Sequence, residues 1–319
     1  MKIPIITALI TLLACGFAFA NASDQAICAQ QVQEVIGKLN VLYAKQQAPL
    51  VSFDSAKLSC EGGYSNLWKT PYYRCSFPAG PFMECLPEKQ QVVGYFGKNP
   101  DIFTDKVPVP QLTLDQAAQT VQPWLKAVMG DLPPLGPPRG SFGVNGRDAH
   151  RFYSGEWQIR WPRMDSQGHL FEFDSLSATY SERFGLIGFG NNFHSTFDEP
   201  SAKSISKEDA LAVARPAAEN WLKNEMHVSG IGSGWHLGPV QAELWVVNPN
   251  NFFQVQKLDQ MVNNPNARLA WKCDFPLVSE KPLSEFERPQ TLVVKIDALT
   301  KEVIGGDYRP TRTKSDSQK

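Results

Sequence analysis

The chain has 319 residues, 42% hydrophobic, 20% charged and 11% aromatic, which suits a globular protein of two or three modest domains. Lys and Arg total 31 against 32 Asp and Glu, and no basic run gathers anywhere, which excludes a nucleic-acid-binding footprint. Beyond residue 20 no apolar stretch is long enough to span a bilayer, so no transmembrane segment is expected after that point.

Lys2 is followed by an apolar run from Ile3 to Ala20, and the chain turns polar at Asn21. A short positive end, an apolar middle and the small-residue exit Ala18-Phe19-Ala20 predict a secretory signal over residues 1–20. The protein is then exported, periplasmic or extracellular. Leu12-Leu13-Ala14-Cys15-Gly16 also resembles a bacterial lipobox, which would anchor the protein through a lipidated Cys15. Next, Val32, Val35, Ile36, Leu39 and Leu42 recur at helical spacing and predict a helix over 26–46.

Export sets the remaining cysteines in an oxidising compartment. Cys28, Cys60, Cys75 and Cys85 crowd the first third of the chain and predict disulfides, while their irregular intervals lack zinc-site spacing. A hairpin turning at Pro78-Ala79-Gly80-Pro81 would set residue 75 opposite 85. Cys75 with Cys85, and then Cys28 with Cys60, are therefore the expected pairs. Cys273 is left as a buried, inert thiol.

One six-residue pattern occurs three times: YRCSFP at 73–78, WQIRWP at 157–162 and WKCDFP at 271–276. Tyr73, Cys75 and Phe77, then Trp157, Ile159 and Trp161, then Trp271, Cys273 and Phe275 alternate with polar residues. Those between them are Arg74 and Ser76, Gln158 and Arg160, Lys272 and Asp274. The alternation predicts half-buried strands, with the aromatic and cysteine positions as structural core and the proline as the stop. A second phrase follows each copy: VVGY at 92–95, LIGF at 186–189 and VIGG at 303–306.

Helical patterns over 112–129 and 205–224 precede the second and third copies, with Thr113 and Ser206 as N-caps and acids in the first turn. Pro123 and Pro216 are expected to kink these helices or end a first segment. Residues 242–257 (AELWVVNPNNFFQVQK) read as an added hairpin. The sum is an α+β fold of three repeated units, each a helix packed on a small antiparallel sheet. The units are 23–98, disulfide-rich, then 110–196 and 204–310, with polar linkers between and a disordered tail over 311–319.

The third unit resembles a PepSY domain. The likeness rests on the helix opening Ser206-Lys207-Glu208-Asp209-Ala210-Leu211-Ala212 and on Val293-Val294-Lys295-Ile296-Asp297-Ala298-Leu299-Thr300-Lys301-Glu302-Val303-Ile304. Lys301 stands where that family usually has glycine. The resemblance covers about residues 204–306, and the earlier units keep only its outline. It implies a cystatin-like helix-on-sheet unit, as in the propeptides of secreted metallopeptidases. It also implies a binding role without catalytic residues, toward a protein or peptide of the cell envelope, peptidases among them.

No catalytic, cofactor or metal motif stands out. The five histidines share no metal-ligand spacing. His194 with Asp198 and Glu199 is the nearest approach to a cluster, and it falls in a linker. The glycines at 230–234 follow a helix and lead toward strands, the reverse of a dinucleotide loop. The prolines of 132–139 read as a stiff connection. The expectation is an exported, non-enzymatic binding protein with no cofactor. The alternatives are a periplasmic carrier of an apolar ligand and an enzyme with a site around His194, Asp198 and Glu199.

Overall fold

The computed structural model describes residues 21–46, 57–65, 68–78, 81–97, 103–144, 146–148, 151–153, 155–200, 204–225, 234–255, 258–280 and 290–310. The expected signal segment with Cys15, the glycines of 230–233 and the tail 311–319 lie outside the described residues.

In chain order, helix α1 (Ala22–Lys45) is followed by β1 (Ser59–Ser65), β2 (Thr70–Ser76), β3 (Phe82–Leu86), β4 (Gln91–Phe96) and the short β5 (Phe103–Thr104). Helix α2 (Leu114–Met129) precedes β6 (Arg139–Gly143), β7 (Gly146–Asp148), β8 (Arg151–Tyr153), β9 (Glu156–Met164), β10 (Leu170–Ser181) and β11 (Gly185–Asn191). Helix α3 (Lys207–Glu225) precedes β12 (Trp235–Leu237), β13 (Gln241–Val247), β14 (Arg268–Ser279), β15 (Gln290–Asp297) and β16 (Val303–Pro310). Thr113 closes a capping box with Gln116, and the Ser206 hydroxyl accepts from the Asp209 amide at 3.1 Å. Pro123 and Pro216 lie inside α2 and α3, and neither ends a first segment.

Three separate helix-on-sheet units are not what forms. The strands join into one 13-stranded sheet, with a small second sheet of β5, β8 and β7. β4 pairs antiparallel with β11 through Gly94↔Gly190, Tyr95↔Phe189 and Phe96↔Gly188, and β10 meets β13 in parallel at Leu170↔Trp245 and Phe171↔Val246. A strand edge is a row of unmet donors and acceptors, and another strand is the readiest partner for it. Tyr43 of α1 then reaches across, donating to the Leu186 carbonyl on β11 while its ring lies 4.7 Å from that of Trp124 on α2. One core therefore spans α1, α2 and strands from both expected units, while α3 covers a second core over β14 and β15.

The likeness among the segments survives in their hairpins. β3–β4, β10–β11 and β15–β16 each carry a register shift, and each turn holds a positive-φ residue: Gln90 (47°), Gly185 (82°) and Lys301 (64°). The repeated phrases sit on β2, β9 and β14, yet only the first strand stops before its proline. Pro162 lies where β9 shifts register against β10, and its carbonyl accepts from Gly136 N. Pro276 lies in the gap between the β12 and β13 partners of β14, and its carbonyl accepts from Gly238 N at 2.7 Å. Neither site asks proline for the amide hydrogen it lacks.

The expected hairpin over 242–257 is also corrected. Its first half is β13, but Phe252–Gln254 turns into a 3-10 segment, with Phe252 stacked on Trp221 of α3 at 5.6 Å. The Asn250 side chain meanwhile pairs with Gly306, accepting from its amide at 3.0 Å and donating to its carbonyl at 2.9 Å. The Asn250 loop thus covers the outer edge of β16 as a strand would.

The four N-terminal cysteines form two disulfides with the partners exchanged: Cys28 with Cys85 and Cys60 with Cys75. The reason is register. β2 and β3 turn more tightly than expected, pairing Ser76 with Phe82, so Tyr73 and not Cys75 faces Cys85. Cys75 is directly opposite Cys60 on β1, and Cys85 points to the α1 face.

Candidate functional site

The β2, β3, β9 and β10 side chains under α1 and α2 are apolar, and the opposite face of that sheet is open. Alternation puts one cross-strand row of that face across eight strands: Glu61, Arg74, Glu84, Gly94, Gly190, Ser177, Arg160 and Arg139. It starts with compensated charge, Arg74 holding Glu84 at 2.9 Å. It crosses two bare glycines and ends on two opposed arginines.

The open face of the α3-covered sheet carries Glu243 opposite Lys272, Gln241 opposite Asp274, and Pro276, Thr291 and Arg309 in one row. The two open faces wall a cleft of about 680 Å³. Asp274 is its electrostatic hub, 3.2 Å from Lys272 Nζ and 3.1 Å from Arg309 Nη2 through one oxygen. Trp245 donates its indole N–H to Glu243 at 3.0 Å, and its ring faces Lys272 Nζ at 5.1 Å and Arg139 Cζ at 5.6 Å. Gly140 contributes bare backbone to the wall, and β6 is an edge strand, paired only with β9 among the described residues.

Polar contacts hold the two faces at their junction. Lys295, fully buried on β15, donates to Glu172 of β10 at 2.5 Å and lies 5.2 Å from the Phe173 ring. Asp174, also fully buried, accepts from Arg163 at 3.0 Å and from the Ser195 hydroxyl at 2.7 Å. That hydroxyl stands 3.1 Å from Asn248 Oδ1, so the network reaches from β10 to the end of β13. Buried charges of this kind are tolerated only when paired and hydrogen-bonded.

His194, Asp198 and Glu199 do not converge. His194 Nδ1 lies 2.8 Å from the Asn192 carbonyl and 3.3 Å from Asp174 Oδ1. Glu199 accepts from the amide and hydroxyl of Ser166. Asp198 lines a separate hollow with Arg268 and Asp297. Among the described residues no cluster of histidine, cysteine and carboxylates is set to hold a metal ion, and no helix is long and apolar enough to cross a membrane.

Tyr73, Phe77, Trp157, Trp161, Cys273 and Phe275 are buried. Trp271 is only half-buried, and its indole N–H donates to the Ile205 carbonyl at 3.1 Å. Burial, with Asp274 beside it, pushes the Cys273 thiol up to about 12. The cleft residues had a sequence signal that pointed only to solvent: Gln158, Arg160, Lys272 and Asp274 are the polar positions of two repeated phrases. Arg139, Trp245 and Arg309 had none, because the cleft draws them from segments far apart in the chain.

No family model matches the chain, and no curated protein does. Among solved structures, the Bacillus megaterium YpeB C-terminal domain is similar over 90% of this chain and 98% of that one, with 11% sequence identity and a TM-score of 0.39.

Proposed function

We propose that this is an exported, PepSY-like binding protein of the cell envelope that holds an extended segment of a protein partner, a peptidase among the candidates, between its two open sheet faces. The observation that carries the proposal is the cleft itself, bordered by the edge strand β6 and floored with side chains that hydrogen-bond rather than react. A free strand edge offers a ladder to an extended chain, and alternate side chains of that chain then face the wall. Four cations and three carboxylates among the lining residues make the cleft a poor home for an apolar ligand, which counts against the carrier reading. The scattered partners of His194, Asp198 and Glu199 count against the enzyme reading.

The test is affinity capture from intact envelope with the natural protein and with Gln158→Trp, which fills the cleft from an exposed wall position. A partner retained by the first and lost from the second supports the proposal. Equal capture by both would place binding elsewhere.

A further inference from the structure

A second hollow, of about 370 Å³, shares no lining residue with the cleft. Its walls come from β1–β4, β11 and the turns after β1 and β11, and Tyr64, Trp68, Tyr72 and Phe96 gather in it. Tyr64 and Phe96 are 54% and 45% exposed, and Trp68 and Tyr72 are half-buried. Exposed rings standing singly need no explanation, but four in one hollow mark a binding site. Two glycines let the rings lie close to the sheet. A Cβ on Gly63 would stand 2.7 Å from the Tyr72 ring, and one on Gly94 3.0 Å from the Phe96 ring. Phe96 also stacks on Phe82 at 4.6 Å, and Lys89 Nζ lies 4.1 Å from the centre of the Trp68 ring. Rings fixed in this way lose little freedom when a ligand arrives.

Polar groups stand among the rings. Glu84 is the one charged residue of the lining, and Arg74 holds it at 2.9 Å. Among the described residues the Tyr64 and Tyr72 hydroxyls and the Asn192 side-chain amide make no hydrogen bond. The backbone, by contrast, is taken up: β2, β3, β4 and β11 each have a strand on both sides. An extended peptide would find no free ladder there.

We infer that this hollow is a second binding site, for a neutral oligosaccharide, and that it works independently of the peptide cleft. A pyranose ring has an apolar C–H face and a rim of hydroxyls, which is the two-sided chemistry the hollow presents. The negative face of an aromatic ring attracts polarised C–H bonds, so the sugar faces lie on the rings. The sugar hydroxyls then meet the Tyr64 and Tyr72 hydroxyls, the Asn192 amide and the free lone pairs of Glu84. The volume falls in the small-ligand range of roughly 300–1,000 Å³. With its one carboxylate already paired, the lining holds no spare charge to select an ion.

The probes are cellotetraose, chitotetraose and maltotetraose, titrated calorimetrically into the purified protein at low and at moderate salt. At least one should bind, with an affinity that salt leaves unchanged. Tyr64→Ala and Phe96→Ala should each weaken that binding about tenfold. Both side chains are exposed, so the melting temperature should stay where it is in the natural protein. Gln158→Trp, which fills the cleft, should bind the sugar as the natural protein does. No binding of any probe at millimolar concentration would overturn the inference and leave the peptide cleft standing. So would binding that neither aromatic change weakens, or tetragalacturonate binding more tightly than every neutral probe. Sugar binding lost in Gln158→Trp and kept in the aromatic variants would place the sugar in the cleft and overturn both readings. A protein adduct from a benzophenone amino acid at position 192, lost in Phe96→Ala, would assign the rings to a protein and overturn the oligosaccharide.

Discussion

Where α1 and α2 meet the sheet, large side chains stand on both sides: Val32, Ile36, Leu39 and Tyr43 on one helix and Val121, Trp124 and Leu125 on the other. Where α3 meets it, the first three turns of the helix present Ala210, Ala214 and Ala218, all fully buried, to Cys273, Phe275, Leu292, Val294 and Ile296, and large side chains enter only near its end, at Trp221 and Leu222. The first region adds two disulfides to its core, and the second has none among the described residues, its buried Cys273 staying free. The contrast teaches that one kind of helix-on-sheet layer can be held by covalent ties or by close approach, and that each should fail differently.

Removing both disulfides should have the largest effect. The Cys28–Cys85 link alone, with a sequence separation of 57, is worth about 4 kcal/mol by loop entropy. Hydrogen exchange of a variant with all four cysteines changed to serine should show β1–β4 and α1 opening while β14 and β15 stay protected. Uniform loss across both regions would break the distinction.

The junction comes next. Glu172→Gln leaves Lys295 buried without its counter-charge and should cost about 3–5 kcal/mol in chemical denaturation. Glu172→Leu combined with Lys295→Met should recover most of that loss, because the charge then goes with its partner. A double variant as unstable as the single one would deny the pair its structural role.

In the α3 region the sensitive change is enlargement. Ala214→Leu should destabilise by about 1–3 kcal/mol through overpacking, whereas Val32→Ala on α1 should cost about as much through a cavity. If Ala214→Leu is neutral, the close approach of α3 is not what holds this region.

Near neutral pH the smallest effect is a pH dependence. Cys273 has its folded pKa raised to about 12 from 9.0, so its neutral form is the one folding favours. Its contribution is full below pH 9 and is lost as pH rises from about 9 to 12. Iodoacetamide at pH 8.5 should therefore label Cys273 only after unfolding, and rapid labelling of the folded protein would contradict its burial.

Much of this was legible where the information is local. Alternation in YRCSFP, WQIRWP and WKCDFP located three strands, and Thr113 and Ser206 marked two helix starts. What local pattern could not carry is which edges meet. Nothing in the run around Gly94 says that it will pair with the run around Gly190, yet that pairing turns separate units into one sheet. The disulfide partners were lost to a hairpin register two residues off, which sets Tyr73 rather than Cys75 opposite Cys85 and leaves Cys85 to Cys28 of α1 and Cys75 to Cys60 of β1. The cleft was unreadable for a related reason: the polar half of an alternating strand looks the same whether it faces open water or a second sheet.

Site-specific photocrosslinking tests the cleft most directly. A benzophenone amino acid would be placed in turn at Gln158, Gln241 and Thr291, which line the cleft, and at Glu34, on the exposed side of α1. Illumination of cells making each variant should give one shared adduct from the three cleft positions and none from position 34. An adduct from position 34 alone, or the same adduct from all four, would contradict binding between the two sheet faces.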